Sequence, residues 1–306
     1  MITGCPICHS DSYKIYYEKV FNYPYASIVQ CESCGHLYSL LTQNVDTDAL
    51  YNDEVYKVVE NRGSVFDRIL DREYIRVIKK IDSFLPRKGS LLDFGCGKGK
   101  FGWLAVKDKW QVKCVETSAG RFEYARSVYH LEVNTEFYSK GRIFENSFDV
   151  ITLFHVLEHL PQPMELAGAL TDDNLRRDGL LVIEVPDISS WQSSFAKEKW
   201  IHLDVPRHIH HFTKQRLMQM MEDIGFTPVR TACFSFHLGV LGMLDSLLKL
   251  CGYRKNIIFE LKNRKSIGLL LKIAFVLPVA LLLEGLAAWR GRGGITRMYL
   301  KRTPAV

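Results

Sequence analysis

The chain of 306 residues lacks a marked excess of either charge: 40 Lys and Arg stand against 34 Asp and Glu, a formal net charge of +6. So mild a surplus gives no reason to expect a nucleic-acid partner, whose binders carry dense basic stripes. The sequence also lacks internal repeats and low-complexity tracts, which sets aside solenoids and disordered scaffolds. Its 47% hydrophobic and 24% charged residues are those of an ordinary globular chain. No apolar run precedes Cys5, so no secretory signal is expected and the reducing cytoplasm is the expected location. Disulfides are rare there, and paired cysteines read as metal ligands instead.

Four of the eight cysteines form such pairs, Cys5–Cys8 in CPIC and Cys31–Cys34 in CESC. Two C-x2-C knuckles about twenty residues apart predict a zinc ribbon over residues 1–42. Four thiolates satisfy tetrahedral Zn²⁺ and leave no open position, so the expected role is structural. His9 and His36 adjoin the knuckles and could each replace a Cys. Residues 43–89 read as a linker and helical lid, with apolar residues at helical spacing from Val65 to Phe84 and Pro86-Arg87-Lys88-Gly89 as the stop.

From residue 90 to 231, short apolar runs (SLLDF, QVKCVE, FDVITLF, GLLVIEV) alternate with helical patterns. That alternation predicts an α/β fold, a parallel sheet with helices on both faces. The first run ends at Asp93. Gly95, Gly97 and Gly99 then stand at alternate positions before a helix, where they permit a sharp turn and close approach of a ligand. The second run ends at Glu116, followed by Thr117, placed to accept bonds from both ribose hydroxyls of a nucleoside. Gly97, Gly99 and Gly102 also satisfy G-x-G-x-x-G, so an NAD(P)-dependent oxidoreductase or epimerase stays open on these residues alone. No Tyr-x-x-x-Lys dyad is suitably placed for hydride transfer.

The D-x-G-x-G-x-G of residues 93–99 resembles motif I of class I S-adenosylmethionine-dependent methyltransferases. FDVITLFHVLEHL at 148–160 resembles the motif IV region of their small-molecule, ubiquinone-biosynthesis-like members, and RRDGLLVIEVPD at 176–187 is similar to the following strand segment. The resemblance covers about residues 70–231 and the last strand. It implies a Rossmann-like, doubly wound, seven-stranded sheet, S-adenosylmethionine as cofactor, and Asp93 beside the cofactor's amino group. Gly95, Cys96, Gly97, Gly99, Glu116, Thr117, Phe154 and His155 complete the expected cofactor site. His155, Glu158 and His159, at i, i+3 and i+4, are expected on one helical face. They could hold the loop beside the cofactor, carry a divalent metal, or supply a general base.

WIHLDVPRHIHHFT at 200–213 places four His, an Asp and an Arg in one loop, expected over the reacting methyl group. His208 or His211 is the expected base, with Asp204 orienting it and Arg207 available to an anionic substrate. Residues 232–292 form an apolar helical insertion before the final strand of a domain spanning 90–231 plus 293–303. SIGLLLKIAFVLPVALLLEGLAAW at 266–289 is long enough to cross a bilayer, but a single crossing would put the last two strands on opposite sides. Basic residues in 254–265 and 289–294 flank it. The expectation is attachment to the inner membrane surface, with a soluble helical cap or homodimer interface as the alternative. The expected activity is methyl transfer to a hydroxyl of a small or lipid-linked acceptor. A non-catalytic adapter working through the ribbon is the other reading.

Overall fold

A computed structural model describes residues 4–21, 23–42, 63–138, 140–145, 147–255, 257, 260–261 and 266–304. Residues 43–62, the first part of the expected linker and lid, lie outside them. Strands β1 (Tyr13–Tyr17), β2 (Ala26–Cys31) and β3 (Leu37–Leu41) form an antiparallel ribbon sheet at the N-terminus. The lid helix begins at Val65, where Ser64 Oγ accepts the Asp67 N–H, and runs to Asp82. Its Val77, Ile78 and Ile81 pack on the main sheet with Phe101 and Leu104.

The main sheet follows: β4 (Ser90–Phe94), β5 (Gln111–Val115), β6 (Val133–Asn134), β7 (Phe148–Phe154) and β8 (Leu175–Pro186). β4 pairs in parallel with β5 and β7, β5 with β6, and β7 with β8. Leu91, Leu92, Ile151, Leu153, Leu181 and Val182 are fully buried. Side chains on both faces of these strands are covered, which is why the runs are continuously apolar rather than alternating. The two-residue β6 carries too little periodicity to be legible in the sequence.

After β8, the strand β9 (His210–His211) leaves the domain and pairs antiparallel with β3, Leu37 opposite His211 and Tyr38 opposite His210. The ribbon sheet is thus completed by the histidine-rich loop. The chain then returns through the helix Lys214–Asp223 to β10 (Phe226–Ala232), and ends in β11 (Ile295–Arg302), antiparallel to both β10 and β8. The sheet order is β10-β11-β8-β7-β4-β5-β6.

Ala232 and Arg297 are register partners, so the insertion leaves and re-enters the sheet at one place. It holds the helices Leu241–Leu250 and Ile267–Trp289, which pack on each other and on Trp191 and Phe195. Glu284, in the apolar helix, is fully buried toward the protein; it accepts the Gly294 N–H at 2.8 Å and a bond from Gln192 Nε2 at 3.1 Å. A single bilayer crossing is incompatible with this docking.

Candidate active site

The four thiols converge as expected. Cys5, Cys8, Cys31 and Cys34 place their sulfurs within 4.8 Å of one another, with Cys5 and Cys34 at 3.6 Å and Cys8 and Cys31 at 3.5 Å. Four sulfurs about 2.3 Å from a central Zn²⁺ lie roughly 3.8 Å apart, so the set fits the ion. Both knuckles turn through a left-handed residue, His9 (φ 58°) and Gly35 (φ 72°), whose amides bond back to Cys5 and Cys31. His36 is not a ligand substitute: its Nε2 lies 2.9 Å from His210 Nδ1.

At the end of β4, Gly95 and Gly97 have φ of 74° and 56°. A Cβ at Gly95 would meet Val156 Cγ2 at 2.5 Å, so only glycine lets β7's end approach the loop. A Cβ at Gly97 would meet nothing within 4 Å. Gly97 borders open space bounded by carboxylates. Asp93 is 2% exposed; Thr152 Oγ1 donates to its Oδ1 at 2.8 Å, and its Oδ2 is buried without a partner. Burial pushes the Asp93 pKa up to about 7. Such an orphaned oxygen fits an ammonium ligand.

Glu116 reaches the same loop, its Oε2 accepting the Gly97 N–H at 2.9 Å and its Oε1 the Ser118 N–H at 2.8 Å. Each oxygen keeps a further lone pair for a ribose hydroxyl. Thr117 is exposed beside it. Gly99 (φ 79°) caps the helix Lys100–Lys107. Cys96 turns its thiol into a core cluster with Cys114, and its amide and carbonyl are spent on Val115 and Gly99. It therefore shapes the loop from behind. Phe154 closes the end of β7, stacked with Tyr74 at 6.5 Å and edge-on to Phe101 at 4.8 Å.

His155, Glu158 and His159 do not share a helix, contrary to expectation. His155 sits at φ 56° where β7 ends, and only Leu157–His159 form a 3₁₀ turn. His155 Nδ1 bonds Glu158 Oε1 at 3.1 Å and its Nε2 bonds Glu184 Oε1 at 3.0 Å. Burial opposes its charge, yet the two carboxylates raise its pKa to about 10. With both nitrogens occupied and a proton held, His155 is not placed as a general base.

The histidine loop is divided. His211 Nε2 bonds Ser39 Oγ at 2.9 Å and burial holds its pKa well below the ordinary value. His210 Nε2 bonds the Leu160 carbonyl, and His202 Nε2 the Leu238 carbonyl. His211 therefore belongs to the ribbon seam, and its expected role as base is corrected. Arg207 is paired with Asp204 (2.6 Å) rather than offered to a substrate. His208 lies by His159, ring centroids 4.7 Å apart, and 3.8 Å from Asp204 Oδ2.

A methyltransferase-domain family model matches residues 66–231, the span from the lid helix through β10. The chain belongs to that family. Among solved structures, this methyltransferase is similar to an S-adenosylmethionine-dependent methyltransferase from Archaeoglobus fulgidus, at 19% identity and a TM-score of 0.50, covering 84% of this chain and 100% of that one. It is equally similar in fold to the plantazolicin methyltransferase BpumL bound to S-adenosylhomocysteine, at 15% identity and a TM-score of 0.50, covering 84% and 93%. No curated protein matches the sequence. The chain is an S-adenosylmethionine-dependent methyltransferase, and the oxidoreductase and adapter readings find no support.

Sequence reasoning missed the ionic chain behind the methyltransferase's His155. Arg297 in β11 donates Nε to Glu184 and lies 3.4 Å from Glu73 of the lid helix. Glu73 accepts the Phe236 and His237 amides and pairs with the His237 ring at 2.9 Å. The only trace in sequence is a charge at a register otherwise apolar, as with Glu184 in VIEVP. Burial would raise the Glu184 and Glu158 pKa values, but Arg297 and His155 for the first, and His155 for the second, hold both near about 2. Their stabilisation is complete above the ordinary carboxylate value of 4.5 and is lost as pH falls toward about 2. That of His155 is complete below 6.5 and lost as pH rises through about 10. Urea denaturation should therefore show this network contributing fully between these limits. Arg297→Met, which removes the cation shared by two buried carboxylates, should cost about 3 kcal/mol and move the acid limb to higher pH. Equal stability of the variant at neutral pH would refute this.

Proposed function

We propose that this methyltransferase acts on a hydroxyl of a lipid-linked acceptor met at a membrane surface. The cofactor supplies an electrophilic methyl group on a sulfonium centre. In this reading the chain's Asp93 Oδ2 takes the cofactor's ammonium, Glu116 its ribose hydroxyls, and the space over Gly97 its amino-acid tail. Thr117 and Phe154 border the nucleoside. Of the histidines with an expected catalytic role, His208 is the one neither locked between carboxylates nor buried in the ribbon seam. The acceptor hydroxyl gives up its proton beside Glu158, His159 and His208.

The observation that carries the lipid reading is the outer face of the helix Ile267–Trp289. It spans 23 residues; its most apolar 18-residue stretch has a mean hydropathy of 2.3, and only 17% of that stretch is buried. Ile267, Leu271, Phe275, Val279, Leu282, Leu286 and Trp289, at spacings of three and four, form one exposed stripe. An apolar strip about 34 Å long, at 1.5 Å per residue, exceeds what soluble surfaces ordinarily expose. The insertion also abuts the histidine loop, with His202 Nε2 3.2 Å from the Leu238 carbonyl. Arg290 and Arg292 follow the helix end, suited to anionic headgroups. A headgroup held at the bilayer surface would enter beside that loop.

The protein should float with vesicles containing anionic lipid. Leu271→Glu with Phe275→Glu, at positions 67% and 84% exposed, should lower the bound fraction at least about tenfold without changing thermal stability. Wild-type protein that stays with the soluble fraction at low salt would end the membrane reading.

A further inference from the structure

We propose that Glu158, His159 and His208 form a second metal site, distinct from the cysteine cluster, for a divalent transition cation. Each residue offers a ligand atom, and the three atoms lie within 4.8 Å of one another. Proximity alone would not make a site; the hydrogen bonds around it do. Glu158 is 1% exposed, and its Oε1 is taken by His155 while its Oε2 is buried with no partner. A buried carboxylate oxygen left in that condition is costly unless a ligand meets it, and a cation is the partner a carboxylate suits best.

The imidazoles are prepared in the same sense. His159 Nδ1 lies 3.1 Å from the Arg207 carbonyl and His208 Nδ1 2.9 Å from the His202 carbonyl. A carbonyl can only accept, so each Nδ1 carries the proton and each Nε2 keeps its lone pair. A second nitrogen fixed on a backbone carbonyl is the arrangement that orients and tautomerises metal-binding histidines. His155 Nδ1, 3.1 Å from Glu158 Oε1, plays the corresponding orienting part for Glu158. Asp204 approaches His208 Nε2 at 3.8 Å, but its carboxylate is engaged with Arg207.

Two imidazoles and one carboxylate suit Zn²⁺, Co²⁺, Mn²⁺ or Fe²⁺, and three protein ligands leave at least one position for an oxygen. The site begins two residues beyond Val156, whose side chain packs against Gly95 of the glycine loop. An acceptor hydroxyl bound there would have its pKa lowered next to the cofactor. That use rests on the hydroxyl-acceptor reading above; binding of the ion does not, and the two are tested apart.

The test is a Co²⁺ titration of full-length protein that carries zinc in its ribbon, after a brief chelator wash. The wild type should take up one further equivalent per chain, with ligand-field absorption of nitrogen and oxygen donors and no thiolate charge-transfer band. Paramagnetically shifted ring protons from two imidazoles should accompany it. His159→Asn and Glu158→Gln should weaken this second binding at least tenfold while retaining the ribbon zinc and the affinity for S-adenosylhomocysteine. No second equivalent in the wild type overturns the proposal, as does a second equivalent without imidazole shifts. Both readouts come from unaltered protein, so a variant that fails to fold does not obscure them. Methyl transfer that persists after the ion is lost would count against activation of a hydroxyl there and leave the metal site itself intact.

Discussion

Replacing Glu116 with alanine should weaken S-adenosylhomocysteine binding about a hundredfold, as measured by calorimetry. Two bonds from a charged carboxylate to ribose hydroxyls contribute about 1.5 kcal/mol each at the low end, and 3 kcal/mol is roughly two decades in affinity. The substitution also frees the Gly97 amide that Glu116 now holds at 2.9 Å, so the loop loses its pin as well as the ligand its partner. Asp93 gives a sharper signature. Burial pushes its pKa up to about 7, and only the ionised form attracts an ammonium group. Affinity should therefore fall about tenfold per pH unit below 7 and level off above it. Asp93→Asn should bind weakly at every pH, with the Asp93-dependent step removed. If Glu116→Ala binds as tightly as wild type, this loop is not where the nucleoside sits.

Cys31→Ser should remove the zinc and undo more than the ribbon. Structural zinc sites in small modules are worth about 10–16 kcal/mol of binding free energy, which becomes folding free energy there. Here the sheet that the ion closes has β9 as its last strand. Ser39 Oγ holds both the His208 carbonyl and the His211 ring, and the Ser39 N–H bonds the Ile209 carbonyl. Losing the ribbon should free residues 207–211. Hydrogen exchange at Ile209, whose amide bonds the Glu158 carbonyl, should accelerate at least about a hundredfold. Among the described residues no backbone hydrogen bond joins the glycine loop to the ribbon, so S-adenosylhomocysteine affinity should change by less than about fivefold. Unchanged exchange at Ile209 in zinc-free protein would show that the ribbon does not hold this loop.

The sequence was informative wherever the chemistry is local. Cys5, Cys8, Cys31 and Cys34 sit in two tight knuckles, and Asp93 through Gly99 turn within seven consecutive residues; spacing alone carries such features. The central strands were legible because burial on both faces leaves continuous apolar runs. His155 misled for the opposite reason. VLEH reads as helix by spacing, but packing of Val156 against Gly95 and the two carboxylates holds His155 at positive φ, which ends the periodicity. Four histidines in one loop looked equivalent, although three of them, His202, His210 and His211, find partners in other parts of the chain, at Leu238, at His36 and Leu160, and at Ser39.

By itself, then, the order of residues determined the α/β sheet, the thiolate tetrad and the cofactor loop, because each follows from hydrophobic period or from ligands a few bonds apart. Only tertiary structure decided which histidines turn into the ribbon seam, that the ribbon and the histidine loop form one sheet, and that Glu73, Glu184 and Arg297 meet. Those contacts join residues as much as 224 positions apart. Such pairs leave no periodic trace in a single sequence, since nothing but closure of the fold brings them within reach.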